Sequence, residues 1–236
     1  TRPLRHDYFD ATRPPIQPDR PPPDPHRHPQ PRPSEVDRWI EAKVLISGSA
    51  IGFYGHRNDE DLTEESERGD GFLADVTVAW ELSTTTAQDA GITVSHIRTG
   101  IVLSVDGGVL RKLLPLYRFA LGGRLGSGMQ WMSWISVDDQ VSAIEWLIDN
   151  PMPGPVNLTA PNPVRNCDFN ATLGRVVGRP AVIPVPTFGL KLLAGGQLAD
   201  ELLFASSKVH PRRLVDAGFE FAHPTLEAAL HDQVNA

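Results

Sequence analysis

The segment VLISGSAIGFYG, residues 44–55, decides the fold class of this chain. Residues Val44 to Ser47 are mostly aliphatic and run into a Ser-Gly-Ser turn, a pattern typical of a buried strand in a parallel sheet. Two more strands are predicted downstream, at residues 92–97 and 156–158. Helices are predicted between and after them at residues 71–90, 109–121, 138–148 and 167–177. This alternation predicts an α/β fold, in which helices cover both faces of a parallel sheet.

The first part of the chain has a different composition. The sequence holds 22 prolines in 236 residues, and eleven of them fall within residues 1–33. So few apolar residues stand among them that this segment cannot bury enough surface to offset the entropy of ordering it. We therefore predict that residues 1–42 are extended or disordered and that the folded part begins at residue 43.

Composition also excludes several classes of function. The net charge of −7 gives no electrostatic reason to expect a nucleic-acid partner. No apolar run approaches the ~18 residues that span a bilayer, so no membrane partner is expected. The single cysteine, Cys167, rules out an internal disulfide framework and favours a cytoplasmic location. No spacing of His, Cys or carboxylates in the predicted folded part fits a metal site.

Polar residues follow the first two predicted strands, and ligands of parallel sheets bind at the carboxyl ends of strands. The first strand leads into Ser47, Gly48 and Ser49, and the second leads into Arg98, Thr99 and Gly100. Parallel neighbours would bring these ends together around one crevice. A serine hydroxyl there can hydrogen-bond a substrate carbonyl or alcohol, and Tyr54 is near enough in sequence to line the same pocket. The alternative, that the serines only satisfy backbone groups at a strand exit, stays open.

Two other chemistries are not supported. The order Gly48-Ser49-Ala50-Ile51-Gly52 does not match the Gly-x-Ser-x-Gly elbow of serine hydrolases. The glycine-rich segment GGRLGSG, residues 122–128, is not followed by the Gly-Lys-Ser/Thr of a phosphate-binding loop. Trp131 and Trp134, just before a predicted helix, are expected to pack in the core or a lid.

The motifs SGSAIGFYG, LTEES, GFLADVTVAWE, IRTGIVLSVDGGVL, LGGRLGSGMQWMSWISVDD, GPVNLTAPNPV and LVDAGFEF occur in this order. Over about residues 44–232 the chain thereby resembles the epimerase-like branch of the extended short-chain dehydrogenase/reductase superfamily. That branch carries a small helical C-terminal domain of unknown function, DUF1731. The resemblance implies an incomplete Rossmann-type parallel sheet, with a partial NAD(P)-binding domain at residues 43–182 and a small, mainly helical domain at 183–236.

The resemblance also implies a cofactor and site residues. NADP is the expected cofactor, with NAD as the alternative. Ser49 falls at the position of the superfamily's catalytic serine, and Ser47 and Gly48 beside it are expected to contact the cofactor. The nicotinamide side is lined by the segment after the second strand, which comprises Arg98, Thr99, Gly100, Ile101 and Val102.

Two departures from the family pattern bear on function. Nothing before Val44 supplies the glycine-rich turn that holds the pyrophosphate, so the adenosine half of the site is expected to be missing from this chain. The superfamily's general acid, a tyrosine followed by a lysine four residues later, is also absent. Phe72 or Leu73 stands at the tyrosine and Val76 or Thr77 at the lysine. Tyr54 is a candidate substitute proton donor.

The sequence therefore predicts an NADP-linked oxidoreductase or nucleotide-sugar-epimerase-like protein with a small-molecule substrate, impaired by the missing turn. The alternative is a non-catalytic Rossmann remnant that acts as a scaffold or binding module. A parallel sheet without its first strands would expose an edge, which predicts self-association.

Overall fold

The computed structural model describes residues 43–181 and 206–235. The predicted proline-rich segment, residues 1–42, and the predicted domain boundary at residues 182/183 lie outside these ranges or at their limit. The strands are β1 Val44–Ala50, β2 Asp61–Leu62, β3 Thr93–Thr99, β4 Ile101–Leu103, β5 Trp131–Met132, β6 Trp134–Ser136, β7 Gly154–Leu158, β8 Val164–Arg165 and β9 Lys208–Val209. The α-helices are α1 Phe72–Leu82, α2 Thr85–Asp89, α3 Gly108–Arg118, α4 Val137–Asp149, α5 Asn166–Val177, α6 Arg212–Asp216 and α7 Leu226–Asn235.

The main sheet of the described residues is parallel and has the strand order β1-β3-β7. Ser49 pairs with Arg98 and Ala50 pairs with Thr99, so the serine end of β1 and the Arg-Thr-Gly end of β3 lie side by side. The predicted juxtaposition of these two strand ends is therefore confirmed. The prediction of a Ser-Gly-Ser turn is wrong, because β1 continues through Ala50 and a 3-10 helix, Ile51–Tyr54, makes the turn instead.

The two faces of this sheet have different character. On one face, Ile97, Val156 and Leu158 pack against Ala143 and Leu147 of α4 and form an apolar core. The opposite face carries polar side chains, among them Ser49 and Arg98, and is covered by α1 and α2. Because side chains alternate along a strand, residues of one register pair share a face. The polar face therefore presents paired side chains of β1 and β3 to α1.

The helix predicted at residues 71–90 is two helices, which is a correction. The chain leaves helical geometry around Ser83 and Thr84, where side-chain hydroxyls compete for backbone carbonyls. Ser83 donates to the Trp80 carbonyl at 2.6 Å, and Thr84 donates to the Glu81 carbonyl at 2.8 Å. Such local bonds offer the backbone an alternative to the helical ladder. The break ends α1 one residue after Glu81.

The described part of the C-terminal region contacts the rest of the fold through strand pairing, hydrogen bonds and apolar packing. β9 pairs with β2 in parallel, and Asp61 is the register partner of Lys208. Leu226 and Leu230 of α7 join the apolar cluster of Leu110 and Leu173. A short helix, α6, precedes a last helix, α7. Among the described residues, no helix combines the length and apolar character needed to cross a membrane.

Candidate functional site

A cleft of about 670 Å³ opens at the carboxyl ends of β1 and β3. One wall is α1, and the floor is formed by the residues that follow the two strands. Carbon atoms make up most of its lining, with a few polar groups from residues near the rim. The lining residues are Ala50, Ile51, Gly52, Gly55, His56, Asp70, Leu73, Ala74, Val76, Thr77, Trp80, Thr99, Gly100, Ile101, Trp131, Ser133 and Ser207.

Gly100 allows the backbone to turn sharply from β3 into β4 at the floor of this cleft. Its N–H donates to the Leu158 carbonyl at 3.0 Å, and the Ile101 N–H donates to the Ser133 carbonyl at 2.8 Å. A Cβ at residue 100 would lie 2.6 Å from the Ser133 carbonyl oxygen and 2.9 Å from Cγ2 of Thr159. The glycine of the Arg-Thr-Gly segment is therefore required by close packing.

Next to the cleft, Arg98 and Glu81 form a buried ion pair, and Ser49 is hydrogen-bonded to it. Arg98 donates from Nε to Oε1 of Glu81 at 2.8 Å and from Nη2 to Oε2 at 2.9 Å. The hydroxyl of Ser49 donates to Oε1 of the same carboxylate at 2.8 Å. The Arg98 side chain is 4% exposed and the Glu81 side chain 14%. A two-pronged, largely desolvated contact of this kind fixes the orientation of all three groups.

The same guanidinium reaches a second polar cluster deeper in the sheet. Arg98 Nη1 donates to the Tyr54 hydroxyl at 3.1 Å, and that hydroxyl donates to Oδ1 of Asn157 at 2.7 Å. The guanidinium carbon lies 3.3 Å from the centroid of the Phe53 ring, a cation–π contact. The 3-10 helix that follows β1 thus supplies two aromatic side chains to Arg98.

The surroundings shift the ionisation of these groups in different directions. Burial raises the pKa of Glu81, but the hydrogen bonds from Arg98 and Ser49 outweigh it, so the pKa lies below the ordinary value. Burial lowers the pKa of Arg98, and the contact with Glu81 raises it above its ordinary value. Burial raises the pKa of Tyr54, and Arg98 only partly opposes this. The pair is therefore ionised and the phenol neutral at physiological pH.

Glu64 joins the sheet to the C-terminal region. Its Oε1 accepts hydrogen bonds from the backbone N–H of Asn157 at 3.0 Å and from that of Arg213 at 3.4 Å. Its Oε2 is buried without a hydrogen-bond partner among the described residues. Burial raises the pKa of this carboxyl, and the backbone donors oppose the shift only in part.

The structure separates the predicted site residues into three groups. Thr99, Gly100 and Ile101 line the cleft. Ser49, Tyr54 and Arg98 belong to the buried polar cluster beside it, and the Tyr54 side chain is fully buried. The remaining residues lie in strands and do not line the cleft; they are Ser47, Gly48 and Val102. Their predicted roles in catalysis and cofactor binding stay predictions.

Sequence reasoning missed Glu81, Asn157 and Glu64. Glu81 stands in WEL at the end of α1, where an acidic residue reads as an ordinary exposed helix position. One signal was available: an arginine at the end of a buried strand needs a carboxylate partner, because an unpaired buried charge is costly. That argument demands a partner without saying which acidic residue supplies it.

Trp134 is fully buried, as expected for a packing residue, whereas Trp131 lines the cleft. The centroid of the Trp131 ring lies 4.2 Å from the guanidinium carbon of Arg165 and 5.0 Å from Nζ of Lys208. Its indole N–H donates to Asp59 at 2.9 Å. A second cavity of about 420 Å³ has Arg165 in its lining and shares His56 with the cleft.

One group of side chains could place ligand atoms around a metal ion. Within the part of the chain that the structure describes, Asp138, His223 and Asp232 hold potential ligand atoms within 4.8 Å of one another. Both aspartates are exposed, and His223 is already bonded to the Ser136 hydroxyl at 3.2 Å. None of the three lines the cleft.

Comparison with known proteins finds relatives that match most of the chain and a family model that matches its C-terminal part. A family model described as "Domain of unknown function (DUF1731)" matches residues 185–233. An epimerase family protein of Mycobacterium bovis is 46% identical over 188 residues, covering 79% of this chain and 62% of the relative. One from Staphylococcus haemolyticus is 39% identical over 201 residues, covering 84% and 67%. The chain thus spans about three fifths to two thirds of the length of these relatives.

A solved structure agrees with the sequence relatives. The human epimerase family protein SDR39U1, crystallised with NADPH, superposes with a TM-score of 0.72 at 29% identity. The similarity covers 82% of this chain and 65% of the human one. With the parallel order β1-β3-β7 and helices on both faces, this similarity confirms the predicted α/β class of Rossmann type.

Proposed function

The chain belongs to the epimerase family, in the epimerase-like, DUF1731-bearing branch of the extended short-chain dehydrogenase/reductase superfamily, and we propose on that premise that it is an NADP-linked oxidoreductase or nucleotide-sugar-epimerase-like protein. The substrate class is a small polar molecule. One observation carries the proposal: Ser49 and Arg98 are register partners, and the residues that follow them, Ala50 and Thr99, line the cleft. In a Rossmann-type sheet the carboxyl ends of adjacent strands are where a dinucleotide and its substrate meet.

The cleft suits the nicotinamide half of a dinucleotide. A nicotinamide ring is flat and largely apolar, and the walls offer the Trp80 ring and the side chains of Val76 and Ile101. Thr99 and Gly100 lie at the floor, next to Arg98, as the family resemblance implies for the nicotinamide side. When bound, the cofactor supplies hydride transfer. NADP rather than NAD is favoured because the human relative was solved with NADPH.

Ser49 is the proposed group that contacts the reacting oxygen of the substrate. It retains 8% of its surface exposed beside Ala50, which lines the cleft. Tyr54 stays a predicted proton donor, but its hydroxyl already donates to Asn157 and is fully buried. A general acid must come within hydrogen-bond reach of the group that it protonates. This geometry favours a structural role for Tyr54, in which its hydroxyl accepts a hydrogen bond from Arg98 and holds that side chain in place.

A second candidate is a non-catalytic scaffold or binding module. It is favoured by the side chains at the superfamily's tyrosine and lysine positions. Leu73, Val76 and Thr77 all line the cleft, so no acid or amine from these positions faces it. The Thr77 hydroxyl is engaged with the Leu73 and Ala74 carbonyls at 3.0 and 2.9 Å.

Titration with NADPH, followed by tryptophan fluorescence, separates the two candidates. The enzyme-like function predicts saturable binding in the micromolar range. Binding should change the fluorescence because Trp80 and Trp131 line the proposed site. No binding up to millimolar NADPH would support the scaffold.

Ser49→Ala should leave NADPH affinity nearly intact and reduce turnover of any substrate found, and the exposed Ser142→Ala is the matched control. Equal turnover in both variants would remove Ser49 from the mechanism.

We also propose that the chain self-associates through β1. Among the described strands, β1 pairs on one side only, with β3, and Leu45 on it is 36% exposed. An unpaired strand edge is a template for pairing with another chain. Sedimentation should show dimers or larger species that a Leu45→Lys substitution reduces, and a wild-type monomer at all concentrations would contradict this.

A further inference from the structure

The hydrogen bond from Ser49 to Glu81 determines what Ser49 can offer a ligand. A serine hydroxyl has one proton to donate and two lone pairs that accept. In this structure the proton goes to Oε1 of Glu81, 2.8 Å away. An ionised carboxylate can only accept, so Ser49 must be the donor in this contact.

Arg98 keeps Glu81 ionised and able to accept the hydrogen bond from Ser49. Its two-pronged contact with both carboxylate oxygens holds the side chain ionised and in one orientation. Turning the Ser49 proton towards the cleft would leave a serine lone pair facing a carboxylate oxygen. A hydrogen bond to an ionised acceptor is roughly twice as strong as a neutral one, so the donor is not released to an ordinary ligand carbonyl.

We propose that Glu81 is a positioning residue that fixes Ser49 as a hydrogen-bond acceptor, so that the site selects a ligand with an alcohol-type donor over one with a carbonyl. This rests on the proposed function only in taking the cleft beside Ser49 as the ligand site. It changes the expected role of Ser49 from polarising a carbonyl to accepting from a hydroxyl. The substrate class proposed for the cleft is therefore an alcohol.

The surroundings of Ser49 agree with this role. The Arg98 and Glu81 side chains of the ion pair are 4% and 14% exposed, and the residue after Ser49, Ala50, lines the cleft. Thr77 and Trp80, one turn and one residue before Glu81 on α1, line the same cleft. The Thr77 hydroxyl already donates to α1 carbonyls, so it does not supply the donor that a carbonyl ligand would need.

The test uses two small probes of matched size, propan-2-ol and acetone, without any dinucleotide. Backbone amide signals of Ser49, Ala50 and Thr99 are followed by NMR while each probe is titrated into the full chain. We expect propan-2-ol to shift these signals with an affinity about fivefold higher than acetone, the effect of roughly one net hydrogen bond. The exposed Glu145→Gln variant should behave as wild type.

Glu81→Gln provides the readout that a merely structural role would not move. The glutamine amide can donate its N–H to the Ser49 oxygen, which frees the serine proton for the cleft, so the preference should shift towards acetone. Ser49→Ala, which removes the hydroxyl, should erase the difference between the probes and serves if Glu81→Gln does not fold. A wild type that prefers acetone, binds both probes equally or responds to neither would overturn the proposal, as would an unchanged preference in folded Glu81→Gln. Because no dinucleotide is present, these outcomes are independent of the NADPH titration.

Discussion

Ser49 and Arg98 are connected twice, once as register partners of two parallel strands and once through the carboxylate of Glu81, which both side chains contact at 2.8 Å. The backbone pairing sets the distance between the two strand ends, and the carboxylate sets the orientation of the two side chains. We therefore expect stability and ligand preference at this edge of the sheet to depend on the same three residues.

Breaking the ion pair should destabilise the fold strongly. Arg98→Met leaves Glu81 buried without its partner, and we expect a loss of about 3–5 kcal/mol in the free energy of unfolding. The double variant Arg98→Met/Glu81→Leu removes the stranded charge and should recover part of that loss. Urea denaturation measures both.

The control for this experiment is a second ion pair. Arg68 and Asp75 are 47% and 67% exposed, and Arg68→Met should cost no more than about 1 kcal/mol. A loss for Arg98→Met as small as that for Arg68→Met would contradict the buried-pair account.

Tyr54→Phe separates the two roles considered for this residue. It removes one hydroxyl that accepts from Arg98 and donates to Asn157. Because it leaves two buried polar partners unsatisfied, we expect a loss of about 1–3 kcal/mol in stability with NADPH affinity retained. Thermal unfolding and the fluorescence titration measure the two effects. Normal stability with complete loss of turnover on an identified substrate would instead support Tyr54 as the proton donor.

Glu64 should give the fold a recognisable dependence on pH. Its folded-state pKa is raised above the ordinary value of 4.5, so between these two values the folded state binds more protons than the unfolded state. The contribution of Glu64 to stability is therefore full below about pH 4.5 and is lost as pH rises through the folded-state pKa. The difference in unfolding free energy between wild type and Glu64→Gln should decline over this window.

Urea denaturation at a series of pH values measures this difference, with the exposed neighbour Glu65→Gln as control. If the difference between wild type and Glu64→Gln grows with rising pH, or is as flat as that for Glu65→Gln, the folded-state pKa of Glu64 is not raised.

Two glycines of the predicted site should respond differently to alanine. In Gly100→Ala the new Cβ meets the Ser133 carbonyl, and we expect a loss of about 1–3 kcal/mol from overpacking. A Cβ at Gly48 meets nothing within 4 Å, so Gly48→Ala should stay within about 0.5 kcal/mol of wild type. Equal losses, measured by thermal unfolding, would refute the role of close packing at Gly100.

Patterns within short segments predicted much of the fold. The aliphatic segment from Val44 and the segment ITVSHI indicated parallel neighbours, and the structure pairs them. Gly178 adopts the left-handed conformation that ends α5, as a glycine after a helical pattern predicts. These features depend on local backbone preference and on burial of one face, and both are visible in the order of residues.

The features that sequence reasoning missed depend on distant contacts. Glu81 is separated by 32 residues from Ser49, and its contact with that serine depends on how α1 crosses the sheet. The β2–β9 pair has only two residues on each side, too few to show a strand pattern. The break between α1 and α2 comes from the hydroxyls of Ser83 and Thr84, which can equally be accommodated on a helix surface, so composition alone did not show it.

The central claim is that the cleft beside Ser49 receives the nicotinamide half of a dinucleotide, while this chain has no sequence match to the glycine-rich turn for the other half. Titration with reduced nicotinamide mononucleotide and, separately, with 2′,5′-ADP tests it most directly, with tryptophan fluorescence as the readout. We predict saturable quenching by the mononucleotide that Trp80→Phe weakens, and a weaker response to 2′,5′-ADP that Trp80→Phe leaves unchanged. Saturable binding of 2′,5′-ADP together with no response to the mononucleotide would contradict the claim.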